Sequence, residues 1–271
     1  VKAWLAAVTS DAATVPNTDS VNTIVTTVLN NVASNGSTVT LTTGTDIKSA
    51  TVFEAPALIS MTGAAVQTLG SDDQLTGTGS ADVLNATLNS AINVKPKLNG
   101  IETLNLSTTA TANIDLSSAT GVTAISHNAN VAGADLTVLN IAAIPTELAV
   151  QNSVAGTDTL FQFQSAALAG AADTVKLKLT ANGVSTAASG NINVAGLGAG
   201  VAETLDVTVV GANRIGALSS DTAAGLGVTT ATNGVKTYKF SGDGSIRIDT
   251  ALTGATTVDG SGLTAGTMRD R

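Results

Sequence analysis

Several residue types that support catalysis are rare or absent in this sequence. The 271 residues include no cysteine and a single histidine, and charged residues make up only 12%, where about 25% is usual. Without cysteine the chain can form no disulfide, thiol nucleophile or zinc–thiolate site. One histidine cannot build a multi-histidine metal site, and we expect this residue, His127, to lie at the surface.

The charge balance excludes further classes of function. The net charge is −8, so no basic surface is available to neutralise phosphates and we expect no nucleic-acid partner. No apolar run reaches the roughly 18 to 20 residues that span a bilayer, so we expect no membrane insertion. Acidic and basic side chains are not clustered along any one stretch, which predicts that the protein is not an enzyme.

The periodicity divides the chain into two regions. Residues 1–36 carry apolar side chains at helical spacing, including Val21, Ile24 and Val28, and are predicted to be a helical segment that ends an N-terminal region. Residues 37–271 alternate with a period of two and are predicted to form a β domain. The chain starts at Val1 instead of methionine, which is compatible with a fragment of a longer protein.

The β region is predicted to be a solenoid. Its short strands are separated by Gly, Asn, Ser and Asp, and 27 glycines against 4 prolines indicate many repeated corners. A β-sandwich is the alternative, but aromatic residues make up only 2% of the chain, and one sandwich rarely needs a dozen strands with so few aromatic side chains in its core. A solenoid interior is narrow and is filled by ladders of small aliphatic residues, which this sequence has in abundance.

One segment carries a candidate metal site. In residues 70–84 (GSDDQLTGTGSADVL), Asp73 and Asp82 each precede a Leu by two positions, as in the aspartate–aliphatic half of a calcium-binding nonapeptide repeat. Their nine-residue spacing is expected to place them on successive turns, where calcium would find carboxylate and carbonyl oxygens. Asp72 and Asp46 are the additional candidate ligands. A plain Gly/Ser/Asp turn is the alternative interpretation of the same residues.

Five phrases, taken together, resemble a known family. Residues 39–46 (VTLTTGTD) look like a solenoid opening, and residues 100–106 (GIETLNL) and 201–207 (VAETLDV) look like two copies of one strand. Residues 114–121 (IDLSSATG) and 258–263 (VDGSGL) look like its strand ends. In composition and in the order of these phrases the chain resembles the Caulobacter-type bacterial surface-layer proteins, which carry calcium-binding RTX-like repeats and are exported by type I secretion.

The resemblance implies a specific fold and role. It implies a right-handed parallel β-helix, an extracellular position on the bacterial cell surface, and calcium-supported assembly of identical chains into oligomers or a two-dimensional lattice. We therefore expect a structural, self-assembling component of a surface layer. An adhesin or carbohydrate-binding solenoid module, with cell-surface polysaccharide as its partner, is the alternative. Intact glycine-rich nonapeptides are scarce here, because Thr78 and Ser80 stand where glycines are expected.

Overall fold

A computed structural model describes residues 37–90, 93–184, 186–198, 200–221 and 233–270. The helical segment predicted for residues 1–36 lies outside them. Short β-strands account for the regular structure of these ranges. They are β1 (Thr38–Thr40), β2 (Ile47–Ala50), β3 (Val52–Ala55), β4 (Ala57–Ile59), β5 (Ala65–Gln67), β6 (Gln74–Gly77), β7 (Val83–Leu88), β8 (Lys97–Asn99), β9 (Thr103–Thr108), β10 (Ala112–Asp115), β11 (Ala119–Thr120), β12 (Ala124–Asn128), β13 (Leu136–Ile141), β14 (Glu147–Gln151), β15 (Thr159–Phe163), β16 (Thr174–Thr180), β17 (Ile192–Gly196), β18 (Thr204–Val210), β19 (Ala212–Ile215), β20 (Leu218–Ser219), β21 (Thr237–Gly242), β22 (Ser245–Ile248), β23 (Thr257–Leu263) and β24 (Met268–Asp270).

Parallel sheets dominate the described chain. The first sheet has ten strands in the order β1-β3-β7-β9-β12-β14-β16-β18-β21-β23. The second has the order β10-β13-β15-β17-β20, the third β11-β8-β6-β2, and a fourth β19-β22-β24. Among these strands the hairpin β4–β5 is the single antiparallel pair. The predicted mainly β class is therefore confirmed, and the pairing is not the antiparallel one of a sandwich.

Neighbouring strands of a sheet lie far apart in sequence. A side-chain hydrogen bond between β7 and β9 joins residues 20 positions apart. Just before β15 and β17, a backbone N–H donates to a carboxylate 33 positions away. Parallel strands need such long connections, because the chain must return to the same end before it can pair again. The intervening residues supply strands to the other sheets, so the first sheet grows by one strand at each return.

The core is built from ladders of side chains that share one register. One ladder of the first sheet runs through consecutive strands, each residue paired with the next. Its members are Val39, Phe53, Leu84, Leu104, Ile125, Leu148, Leu177, Val207 and Phe240. All four phenylalanines and the single tyrosine are fully buried. The period-two alternation of the sequence therefore places apolar residues inside, as strand geometry requires.

His127 occupies a core position, so the prediction of a surface histidine is wrong. It is fully buried and pairs in register with Leu106 on β9 and Val150 on β14. Its Nε2 lies 3.0 Å from the Thr108 hydroxyl and its Nδ1 lies 2.7 Å from the Thr159 hydroxyl. Burial lowers the pKa of His127 to about 3. The two threonines replace the water that a surface imidazole would have bonded.

The Thr108 hydroxyl shows which ring nitrogen of His127 carries the proton. The single hydrogen of this hydroxyl is donated to the carbonyl of Ala134. In its contact with Nε2 the hydroxyl oxygen must therefore be the acceptor. Nε2 therefore carries the hydrogen, and Nδ1 accepts from Thr159. Both nitrogens of the neutral ring are satisfied in this arrangement.

The hairpin β4–β5 projects from the parallel stack and carries apolar side chains into solvent. Leu58 is 44% exposed, Ile59 is 72% exposed and Met61 at the tip is completely exposed. Asn89, which follows β7, holds the base of the hairpin by donating to the Ala65 carbonyl at 2.8 Å. Among the described residues, no helix is long and apolar enough to span a membrane.

Candidate functional site

The predicted calcium ligands lie at corners, where the chain enters a strand. Asp46 directly precedes β2 and Asp73 directly precedes β6, and these two strands are neighbours in the third sheet. The Asp73 carboxylate accepts the backbone N–H of Asp46 at 2.8 Å through Oδ1 and that of Gly70 at 2.7 Å through Oδ2. Asp46 in turn accepts the Thr42 N–H at 2.7 Å. The two aspartates that the sequence analysis proposed as ligands are thus joined by a hydrogen bond, and both are buried.

The Asp73 carboxyl has a raised pKa. Burial is the largest cause, and the nearby charges of Asp46 and Asp72 add to it. The two backbone N–H groups act in the opposite direction, since a donor stabilises the charged form. Asp73 therefore remains buried because its two oxygens are bonded to backbone, and Asp72 beside it is exposed.

Asp82 lies at a different corner, directly before β7 of the first sheet. Its carboxylate accepts the Gly79 N–H at 2.9 Å, and its own N–H donates to the Glu102 carboxylate at 2.7 Å. Glu102 directly precedes β9, the neighbour of β7 in the first sheet. A Cβ added to Gly77 would collide with the Gly100 carbonyl and with this carboxylate. Glycine is required at position 77 for this close approach.

The same arrangement recurs later in the chain, at the entry to β16 and β18. Asp173 accepts the Gly170 N–H at 2.9 Å, and its N–H donates to the Glu203 carboxylate at 2.8 Å. Glu102 and Glu203 are the glutamates of the two similar phrases, GIETLNL and VAETLDV. Their likeness in sequence therefore corresponds to the same position and the same hydrogen bond in the fold.

A third set of acids performs this role in the second sheet. Asp135 accepts the N–H of Asp158 at 2.8 Å, and Asp158 accepts the N–H of Asn191 at 2.6 Å. These residues directly precede β13, β15 and β17. Burial raises the pKa of Asp158, with the Asn191 N–H acting against it. We call Asp73, Glu102, Asp135, Asp158 and Glu203 the corner carboxylates, because each accepts the N–H of the equivalent residue on a neighbouring strand.

The corner carboxylates provide hydrogen-bond acceptors for backbone N–H groups at the strand entries. A buried N–H that has no partner costs about 1–3 kcal/mol, and a charged acceptor gives a stronger bond than a neutral one. Sequence reasoning did not assign Glu102, Glu203, Asp135 or Asp158 to this role. The signal was present, since an acid stands immediately before each of these strand patterns, but the partner on the next strand cannot be read locally.

The predicted calcium ligands Asp46, Asp73 and Asp82 lie before strands of two different sheets. Asp73 and Asp82 precede β6 and β7, which lie in different sheets, so the expectation of successive turns is wrong. Their oxygens face N–H donors, whereas calcium takes six to eight oxygen ligands. In the described ranges no three or more His, Cys, Asp or Glu side chains are grouped to hold a metal ion. The aliphatic half of the motif behaves as expected, because Leu75 and Leu84 are buried.

The comparisons with known proteins identify no relative. No family model matches the chain, no curated protein matches it, and no solved structure matches it. The functional argument therefore depends on the residues and their geometry.

Proposed function

We propose that this chain is a structural, self-associating component of an extracellular bacterial surface layer, folded as a right-handed parallel β-helix. The observation that carries the proposal is the ten-stranded parallel sheet with its shared core ladder. Such a stack extends by repetition, because each strand contacts only its neighbours. The extracellular position follows from the resemblance of the strand phrases to surface-layer proteins.

The order of the strands supports a β-helix. Along the chain β7 belongs to the first sheet, β8 to the third, β9 to the first, β10 to the second and β11 to the third, before β12 returns to the first. A chain that visits the same sheets in turn, always parallel, winds as a coil. Connections between parallel strands of one sheet are right-handed in about 98% of cases, which favours the right-handed form.

The use of the acidic residues supports a non-catalytic role. Hydrolysis of glycosides needs two carboxyl groups that face a substrate. The corner carboxylates instead accept backbone hydrogen bonds, and Asp249 is paired with Arg214 at 2.8 Å. We propose that the acids of the described region hold the fold together and carry out no turnover.

The hairpin β4–β5 supplies a surface for self-association. Burying one large apolar side chain contributes about 1.5–3 kcal/mol, and Ile59 and Met61 are both exposed on this one projection. We propose that a second copy of the chain covers them. Single exposed apolar residues elsewhere, such as Val184 at 60% exposed, are ordinary for a protein surface.

Analytical ultracentrifugation and electron microscopy test this proposal. The chain should form oligomers or sheets at high protein concentration, and an Ile59→Ser, Met61→Ser double variant should shift it to monomers. Val184→Ser is the matched control, because it removes an exposed apolar residue outside the hairpin. The measurement is made with and without calcium, since the surface-layer resemblance implies calcium-supported assembly. A strictly monomeric chain under both conditions would contradict the proposal.

A further inference from the structure

The outer face of the first sheet contains an open groove of about 430 Å³. It crosses five neighbouring strands, β3, β7, β9, β12 and β14. Two rows of polar side chains line it, and both follow the strand register. We call this feature the polar groove.

The first row is a chain of hydrogen bonds that runs in one direction. Ser126 donates to Asn105 at 2.9 Å, Asn105 donates to Asn85 at 2.9 Å, and Asn85 donates to the Glu54 carboxylate at 2.7 Å. These four residues are paired in register across β3, β7, β9 and β12. The bonds orient each amide, so that its oxygen and nitrogen occupy defined places along the groove.

The second row lies two residues further along the same strands. Thr87, Ser107, Asn128 and Gln151 are paired in register from β7 to β14. The hydroxyls of Thr87 and Ser107 lie 3.1 Å apart. The two rows face the same side, because side chains two positions apart point to one face of a strand.

The ordered amides keep hydrogen-bonding capacity for a ligand. An asparagine amide has two donor hydrogens and two acceptor lone pairs. Asn85 uses one donor on Glu54 and one lone pair on Asn105, so one donor and one acceptor remain. Asn105 on the next strand likewise donates to Asn85 and accepts from Ser126, so it keeps one donor and one acceptor as well; neighbouring strands lie about 4.7–4.9 Å apart. The groove therefore offers a regular series of neutral donor and acceptor pairs that need little reordering on binding.

We propose that the polar groove binds a neutral, hydroxyl-rich polysaccharide. Each sugar hydroxyl is both donor and acceptor, which matches the capacity that the amides and hydroxyls of the groove leave open. A linear polymer laid across the strands meets amide or hydroxyl groups on each of β7, β9, β12 and β14, so several weak contacts add along its length. The assignment stands on the groove alone and does not depend on self-association through the hairpin.

The lining disfavours other classes of ligand. Glu54 is the one ionisable residue that lines the groove, and no cation does, so an acidic polysaccharide or a nucleic acid has no partner for its charge. No aromatic residue lines it either. Protein partners are usually held by buried aromatic or arginine anchors, and the groove provides no pocket of that kind.

Affinity electrophoresis in native gels tests the proposal. The probes are dextran, pullulan, mannan and galactan as neutral polymers, with polygalacturonate and dextran sulfate as acidic ones. At least one neutral polymer should retard the wild-type chain. Asn85→Ala and Asn105→Ala should each weaken that binding by about three- to tenfold, the effect of losing one or two hydrogen bonds.

Asn99→Ala is the matched control. Asn99 is also an exposed asparagine in a cross-strand hydrogen bond, with Thr120 at 3.0 Å, but it lies on the third sheet. The Asn99→Ala variant should bind the neutral polymer with the same affinity as the wild type. The proposal is overturned if no neutral polymer binds, if only the acidic polymers bind, or if the groove variants bind as well as Asn99→Ala does. Sedimentation of the same samples reports self-association separately.

Discussion

His127 should make the protein sensitive to acid well above the pH at which carboxylates titrate. Its pKa is lowered from 6.5 to about 3 in the folded state, so the unfolded chain binds the proton first as the pH falls. The histidine contribution to stability is complete above pH 6.5 and is lost as the pH falls towards 3. With 1.36 kcal/mol for each pKa unit, the full loss is about 5 kcal/mol, and about 3 kcal/mol is lost by pH 4.5.

Urea unfolding at pH 7 and pH 4.5 measures this effect in the wild type and in His127→Leu. Leucine fits a ladder whose neighbours are Leu106 and Val150, and it cannot bind a proton. The variant loses the hydrogen bonds with Thr108 and Thr159 at both pH values, so that cost cancels in the difference between them. The wild type should lose about 3 kcal/mol more than the variant between the two pH values.

The carboxylates act in both directions. Asp115, Asp249 and Asp259 have lowered pKa values, so their protonation on acidification destabilises the folded state as that of His127 does. Asp73 and Asp158 have raised pKa values, so their protonation on acidification favours the folded state, opposite in sign to the histidine effect. Any acid effect is also common to wild type and variant. An equal loss of stability in the two proteins would refute the reasoning, as would a His127 imidazole NMR signal that titrates near pH 6.5 in the folded chain.

Two further substitutions test the corners. Gly77→Ala should lower the free energy of unfolding by about 1–3 kcal/mol, because its Cβ meets a carbonyl and a carboxylate. Gly44→Ala is the control and should change it by less than about 0.5 kcal/mol, because its Cβ would meet only the Thr42 hydroxyl, at an ordinary 3.7 Å. Equal effects in urea unfolding would contradict the steric argument. Asp73→Asn should lower the free energy of unfolding by about 1–3 kcal/mol, because one of its two backbone N–H partners would then face an amide N–H₂ instead of an oxygen. Asp72→Asn is the control and should leave the free energy of unfolding nearly unchanged. If Asp73 and Asp82 bind calcium as their spacing predicts, the wild-type Tm should rise with calcium and an Asp73→Asn, Asp82→Asn double variant should lose most of that rise; a Tm that is the same with and without calcium would show that these aspartates are only turn residues.

Local alternation predicted the positions of several strands. The patterns at residues 175–179 and 205–209 fall within β16 and β18, and those at 103–106 and 136–139 fall within β9 and β13. Alternation is a local property, because a strand with one buried face must place apolar residues at every second position. The hairpin β4–β5 was not predicted, since Leu58 and Ile59 are exposed and show no buried stripe.

The role of His127 could also have been read from its neighbours. Ile125 and His127 are two positions apart in one strand, so they share a face, and that face is the buried one. The rarity of histidine led instead to the surface assignment. What no local pattern contained was the hydroxyl partners Thr108 and Thr159, which come from other parts of the chain.

The sequence by itself determined the β class, the inward residues of each strand and the acids that stand before the strands. Only the tertiary structure decided which strands pair, because the returns between neighbours vary in length and contain different inserted segments. That pairing also decided the chemistry of Asp73 and Asp82. Their spacing suggests one ion site, but the fold places them before strands of two different sheets, where the Asp46 N–H, 27 residues away in sequence, donates to Asp73 and the Asp82 N–H donates to Glu102, 20 residues away. Hydrogen bonds between residues so distant in sequence form only when the strands have stacked, and a linear pattern cannot encode their geometry.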